Sequence, residues 1–263
     1  MISFDDLLSN SISRKGKLFS RLENPERITD QVFSSLWNIE YVEMLDAYRN
    51  GNFDLVKRTA FNCAVLDEVK IKLFNSRVFD FGIRNVCVAI ISDNRSYLNS
   101  YANLEYRATI SEQGIMKERS FSEMAGNGET AIWCSTILHL HSKRFEEAKI
   151  NLKIIEEKNI LNSSRFKNLR QDFNFYQGIL NQDAKECERA LNNLLSPELA
   201  KVRNEDEVFR NLIIHPVVGY LKLAMNLGLP LRLDHPLVKY GILESEQELN
   251  YSSPYLKYLD SGI

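Results

Sequence analysis

The chain has few of the residues that interrupt helices: 11 glycines and 6 prolines in 263 residues. That scarcity argues against many short strands joined by tight turns and favours long helices. Histidine is rarer still, with 4 in all. No pair has the i, i+4 spacing that stacks two imidazoles on one helix face, so a helical metal site is not expected. His139 and His141 lie two apart and point roughly 200° away from each other on a helix. Cys63, Cys87, Cys134 and Cys187 are far apart, form no CxxC pair and fall in apolar stripes. They are expected to be reduced core thiols rather than zinc ligands or disulfides.

Long apolar runs are missing too, none approaching the ~20 residues of a membrane span. The start, Met1-Ile2-Ser3-Phe4-Asp5-Asp6, is acidic and lacks a signal-peptide layout. Neither charge sign dominates: the formal net charge is −2. This removes a whole-chain case for nucleic acid or an anionic membrane, while leaving room for a local basic patch. The expectation is a cytoplasmic protein with no cofactor, metal, nucleic acid or membrane partner.

What is present is helical periodicity. Trp37, Tyr41, Met44, Leu45 and Tyr48 form one stripe; Gly51-Asn52 interrupts it, and Phe53, Val56, Ala60, Cys63 and Ala64 resume the spacing. Two further helix–turn–helix units turn at His141-Ser142-Lys143-Arg144 and at Asn181-Gln182-Asp183-Ala184. They can be aligned with Leu138, Ala148 and Leu152 opposite Leu180, Ala190 and Leu194, and Trp133 opposite Phe175. Small alanines in the second helices would let the backbones approach. The pattern is similar to tetratricopeptide hairpins, with irregular spacing. It predicts an all-α, irregular helical-hairpin bundle, a single domain over 1–263 with a possible weak division near 107–128.

Elsewhere, residues 3–21 read as one helix, and Pro25 suits the first turn of the next. Phe79 to Ile91 is apolar enough for a buried helix, with a strand as the alternative at Val86-Cys87-Val88-Ala89-Ile90-Ile91. Residues 107–130, with Gly114, Gly126 and Gly128, are expected to be the longest connection. A buried helix carrying Trp133 follows, then another over 206–228 disturbed by Pro216. The tail, with Pro236 and Pro254, reads as extended or short-helical.

Signs of chemistry are thin. Ala125-Gly126-Asn127-Gly128-Glu129-Thr130 lacks the Gly-Lys-Ser/Thr ending of a phosphate loop and reads as a turn and helix cap. There is no Gly-x-Ser-x-Gly elbow and no Glu-x-x-His pair. The expectation is therefore no enzyme; a hydrolytic or small-molecule role for His215 and His235, each followed by proline, is the alternative. The acidic run Glu205-Asp206-Glu207 suits a helix start. It could also belong to a negative face, with the tail's Asp234, Glu244, Glu246, Glu248 and Asp260, that meets a basic partner.

Two segments carry a resemblance. One is Glu129-Thr130-Ala131-Ile132-Trp133-Cys134, running through Leu138 into Phe145-Glu146-Glu147-Ala148. The other is His215-Pro216-Val217-Val218-Gly219-Tyr220-Leu221-Lys222-Leu223-Ala224, followed by Gly228-Leu229 and Asp234-His235-Pro236-Leu237-Val238. Together with length and helical character, they resemble the bacterial immunity protein 49 family of polymorphic toxin systems. The resemblance implies an immunity protein that binds a cognate toxin, often a nuclease, and blocks it by occlusion. On that basis Glu123, Glu129, Glu205, Asp206 and Glu207 are candidate partner-binding residues, with exposed aromatics as anchors. A helical-repeat adaptor holding a peptide or signalling partner is the alternative.

Overall fold

Apolar stretches free of proline run on as helix, and several of them end at a left-handed residue. The computed structural model describes residues 3–112, 115–203, 207–213, 215–244 and 251–260. In chain order its helices are α1 (Phe4–Leu22), α2 (Asp30–Arg49), α3 (Phe53–Phe74), α4 (Ile83–Ile91) and α5 (Arg95–Tyr101). The strands β1 (Arg107–Glu112) and β2 (Ile115–Ser120) follow. Then come α6 (Phe121–Gly126), α7 (Ala131–His141), α8 (Phe145–Glu157), α9 (Arg170–Leu180), α10 (Ala184–Leu194), α11 (Pro197–Arg203), α12 (Val217–Asn226) and α13 (Lys257–Asp260). The protein is all-α apart from one small two-stranded sheet among the described residues.

The three anticipated hairpins are α2–α3, α7–α8 and α9–α10, and they turn alike. Gly51, Lys143 and Gln182 all have positive φ, at 73°, 57° and 55°. At each, the next amide reaches back five residues: Asn52 N–H donates to the Ala47 carbonyl (2.9 Å), Arg144 to His139 (2.8 Å) and Asp183 to Gly178 (2.8 Å). This Schellman arrangement satisfies carbonyls that the helix end leaves open. Gly128 and Gly228 end α6 and α12 in the same way, through Glu129 N–H to Met124 and Leu229 N–H to Ala224. The glycine-containing segment 125–130 is thus a helix stop.

Superposing these turns corrects the repeat alignment by three residues. Lys143 answers Gln182, so Ala148, Asn151, Leu152 and Ile155, the buried set of α8, answer Cys187, Ala190, Leu191 and Leu194 of α10. Matching apolar letters alone had shifted the register because Asn151 occupies a core position; its amide donates to Ser135 Oγ at 3.1 Å. At Gly178 α9 lies so close to α10 that an added Cβ would be 2.6 Å from Cys187 Sγ and 3.1 Å from the Cys187 backbone nitrogen.

Contacts gather into two compact units. One comprises the described residues of Met1–Val78, Val88–Tyr106 and Lys239–Ile263; the other comprises Phe79–Cys87 and those of Arg107–Val238. In the first, α1 packs on α2, α2 pairs with α3, and the C-terminal segment lies against α3. In the second, β2 leads into α6, α6 packs on α7, and the two hairpins join through α7, α8 and α9. Helix α12 lies on α7 and stacks Tyr220 on Phe175 of α9, with ring centroids 4.5 Å apart. It therefore covers the first helix of both hairpins, and nearly every side chain of α7 is buried.

Three sequence expectations change. Arg107–Glu112 and Ile115–Ser120 pair as antiparallel strands where a long connection is expected, with Arg107 opposite Ser120 and Ile110 opposite Lys117. Ala108 is buried between exposed Arg107 and Thr109, a period-2 pattern too short and polar to stand out. The helix expected over 206–228 begins only at Val217, because Pro216 caps it and has no N–H to offer. Pro25 opens a 3-10 turn, Pro25–Arg27, rather than a longer helix. Phe79–Ile91 is helical from Ile83 on, as expected, and not a strand.

Gly51 gives a clean test, since an added Cβ would meet nothing within 4 Å and any cost is conformational. Gly51→Ala is expected to lower stability by about 1–2 kcal/mol. Gln182→Gly, at the equivalent position, should leave stability unchanged or raise it by less than about 1 kcal/mol. Urea denaturation of both variants decides; equal losses would mean that the left-handed turn does not set the hairpin.

Candidate functional site

The interior of each unit holds a cluster of ionisable groups. In the first unit, Glu40 of α2 falls on a face that is otherwise Leu36, Trp37 and Met44, and its side chain is only 1% exposed. It accepts from Lys15 Nζ (2.8 Å), Asn62 Nδ2 (3.0 Å) and Tyr255 OH (2.7 Å). One carboxylate thus ties α1, α3 and the C-terminal segment to α2. Burial and the adjacent Glu40 charge push the Tyr255 hydroxyl well up, so it stays protonated as a donor. Lys57 of α3, likewise buried, donates to the Glu244 carbonyl at 2.7 Å and faces Asp93 at 3.6 Å.

In the second unit the centre is Asp172, in the first turn of α9 and 0% exposed. Its Oδ1 accepts from the Arg203 guanidinium and, at 2.8 Å, from Tyr220 OH. Tyr176, one turn on from Asp172, lies 2.5 Å from Tyr220 through the two hydroxyls. Tyr220 has one proton and gives it to the carboxylate, so Tyr176 is the donor in that pair. Burial pushes the Asp172 carboxyl up, against the opposing pull of Arg203 and Tyr220. Its Oδ2 has no hydrogen-bond partner among the described residues. Nearby, Gly219 brings α12 so close to α4 that an added Cβ would lie 2.5 Å from Cys87 Cβ.

The four thiols are free and buried. Burial raises Cys87 well above its ordinary value and Cys187 to about 12, which keeps both as unreactive thiols. His215 is fully enclosed; burial first, then Arg84 and Arg203, lower its pKa to about 3. His139 is lowered to about 4, by burial and by Arg144. His235 accepts from Leu237 N–H at 3.2 Å and so closes its own turn. His215 is thus buried in the core, and His235 serves a turn of its own.

The acidic candidates that are described each have a local partner. Glu123 forms a capping box with Ser120, accepting from its backbone N–H at 2.7 Å, and these bonds hold its pKa down. Glu129 pairs with Arg119 at 2.7 Å, and Glu207 pairs with Arg210 at 3.1 Å. Glu205 and Asp206 lie outside the described residues. Sequence reasoning missed Asp172, Arg203, Tyr176 and Tyr220, although an acid and a tyrosine at i, i+4 on a buried face was a usable signal. Among the described residues no group of His, Cys, Asp and Glu could hold a metal ion, and no helix is long and apolar enough to cross a membrane. No family model, curated protein or solved structure matches the chain.

Two outcomes test these clusters. Arg203→Met should cost about 3–5 kcal/mol, because it strands a buried carboxylate. Adding Asp172→Asn should recover part of that loss in a double-mutant cycle; strict additivity would mean that the pair is not coupled.

The second concerns pH. The unfolded His215 takes a proton below about pH 6.5, while the folded one refuses it until about pH 3. Stability should therefore fall as pH drops through that window, by about 2 kcal/mol at pH 5 for this group. Asp172, with its raised pKa, works in the opposite direction and is common to both proteins compared. His215→Gln should flatten the acid limb of the stability profile; parallel profiles would refute the assignment.

Proposed function

We propose that the chain is a non-catalytic binding protein of the immunity type, which neutralises a bacterial toxin by covering its functional surface. One observation carries this: the convergent ionisable groups are buried and join segments of the fold to one another. Asp172, at 0% exposure, binds α9 to α11 and α12, and Glu40 binds α2 to α1, α3 and the C-terminal segment. Groups arranged in that way stiffen a scaffold, and a preorganised surface binds with little loss of conformational freedom.

The covering of α7 and α9 by α12 bears on the adaptor alternative. A helical-repeat protein that holds a peptide needs an open face on its stacked helices. Here α12 occupies the first helices of both hairpins. That favours an outer surface as the place of contact. The resemblance to immunity protein 49 supplies the toxin as partner, and a cytoplasmic site of action belongs to the same proposal.

The test is co-expression with the product of the adjacent gene. If that product is toxic, the chain should restore growth and co-purify with it as a stoichiometric complex. A toxin that kills equally well in its presence, or that fails to co-purify, would refute the immunity reading.

A further inference from the structure

The stretch between Glu157 and Asp172 contains no acidic residue but carries Lys158, Arg165, Lys167 and Arg170. Lys158 is engaged, donating to the Asn127 carbonyl at 2.8 Å. Arg165, Lys167 and Arg170 are exposed, and none of them is ion-paired among the described residues. In a chain of net charge −2 this is a concentrated cationic surface.

Aromatic rings give the patch a rigid centre. Phe79 points inward and packs on Phe121 at 5.2 Å, while Phe81, two residues on, is 68% exposed. The Arg165 guanidinium sits 4.7 Å from the Phe81 centroid and 5.4 Å from that of Phe166. Phe166 rests in turn on buried Trp133, with centroids 6.2 Å apart. Arg165 thus stacks on two rings, one of which rests on the core, yet none of its N–H donors has a partner among the described residues. An exposed aromatic beside a preorganised arginine is the composition typical of interface hot spots. A solvated surface arginine has no need of such support.

We propose that Phe81, Arg165 and Phe166, with Lys167 and Arg170, form a docking surface for the acidic face of a partner protein. Arg165 would receive a carboxylate in bidentate fashion while Phe81 is covered by apolar contact. The charge pattern favours protein over nucleic acid. Phosphate binding draws on many cations along a groove, whereas α8, which immediately precedes this stretch, carries Glu146, Glu147, Glu156 and Glu157. The inference deepens the binding-protein reading by naming the surface and the chemistry of its partner.

The experiment uses the full chain and two labelled probes of equal net charge: a Glu/Asp-rich peptide carrying leucine and tyrosine, and a single-stranded RNA. Fluorescence anisotropy should show the peptide bound more tightly than the RNA. Arg165→Glu should weaken peptide binding about tenfold or more, and Phe81→Ala should weaken it severalfold. Arg165→Lys should fall between wild type and Arg165→Glu, because it keeps the charge but loses the planar fork. Melting temperatures should stay unchanged, since these side chains are at the surface.

No peptide binding, binding insensitive to Arg165, or RNA bound more tightly through Arg165 would each overturn the proposal. Growth protection separates it from the immunity reading. Arg165→Glu protecting as well as wild type would sink the surface and leave immunity standing. Arg165-dependent peptide binding without protection from any neighbouring toxin would do the reverse.

Discussion

The hairpins depend on one backbone event, a residue in the left-handed region directly after the helix C-cap. It turns the chain while the following amide closes onto a carbonyl five residues back, so the first helix ends without stranding its acceptors. Once Gly51, Lys143 and Gln182 fix that geometry, the second helix starts at a set distance. Its buried positions then follow as Val56, Thr59, Ala60 and Cys63 in α3, and as the matching sets in α8 and α10. Lysine and glutamine occupy two of the three turns despite glycine's advantage there. The tertiary contacts of the paired helices outweigh a local cost of about 1 kcal/mol.

Helices buried on every side create the second constraint. A helix such as α7 leaves no polar face for water, so any ionisable group in its surroundings must find a protein partner. Asp172 stands in α9 at the position that Trp133 occupies in α7 once the turns are superposed. In one hairpin that core place is filled by an indole. In the other it is filled by a carboxylate that draws in Arg203 and Tyr220. The indole N–H of Trp133 has no hydrogen-bond partner among the described residues, so neither solution is without cost. The ion pair has a structural benefit that the indole cannot supply, because it brings a residue of α11 to α9.

These differences explain what was legible in the sequence. The hairpins were readable because their signal is local: stripes at i, i+3, i+4 and i+7 on either side of a short polar turn. Residues 107–120 were not, since Gly114 and a run of charged residues hide an alternation only a few residues long. Of the Asp172 cluster only the Asp172–Tyr176 pair was within local reach, because Arg203 and Tyr220 lie 31 and 48 residues from Asp172. Of the acidic residues singled out in the sequence, Glu123 also caps a helix, and Glu129 and Glu207 also pair with arginines. Charge runs visible in a sequence say nothing of which neighbours have already claimed them.

Two arginines in the second unit show how location divides scaffold from surface. Arg203 places its guanidinium on an enclosed carboxylate, and its positive charge is balanced within the fold. Arg165 is positioned just as firmly, but by the faces of two rings, which restrain the group without neutralising it. A cation fixed by stacking keeps all five of its N–H donors, whereas one fixed by an ion pair has given up part of that capacity and its net charge. The first arrangement strengthens the fold and the second presents a charge outward. Because Arg165 is exposed, that remaining capacity is what a partner can use.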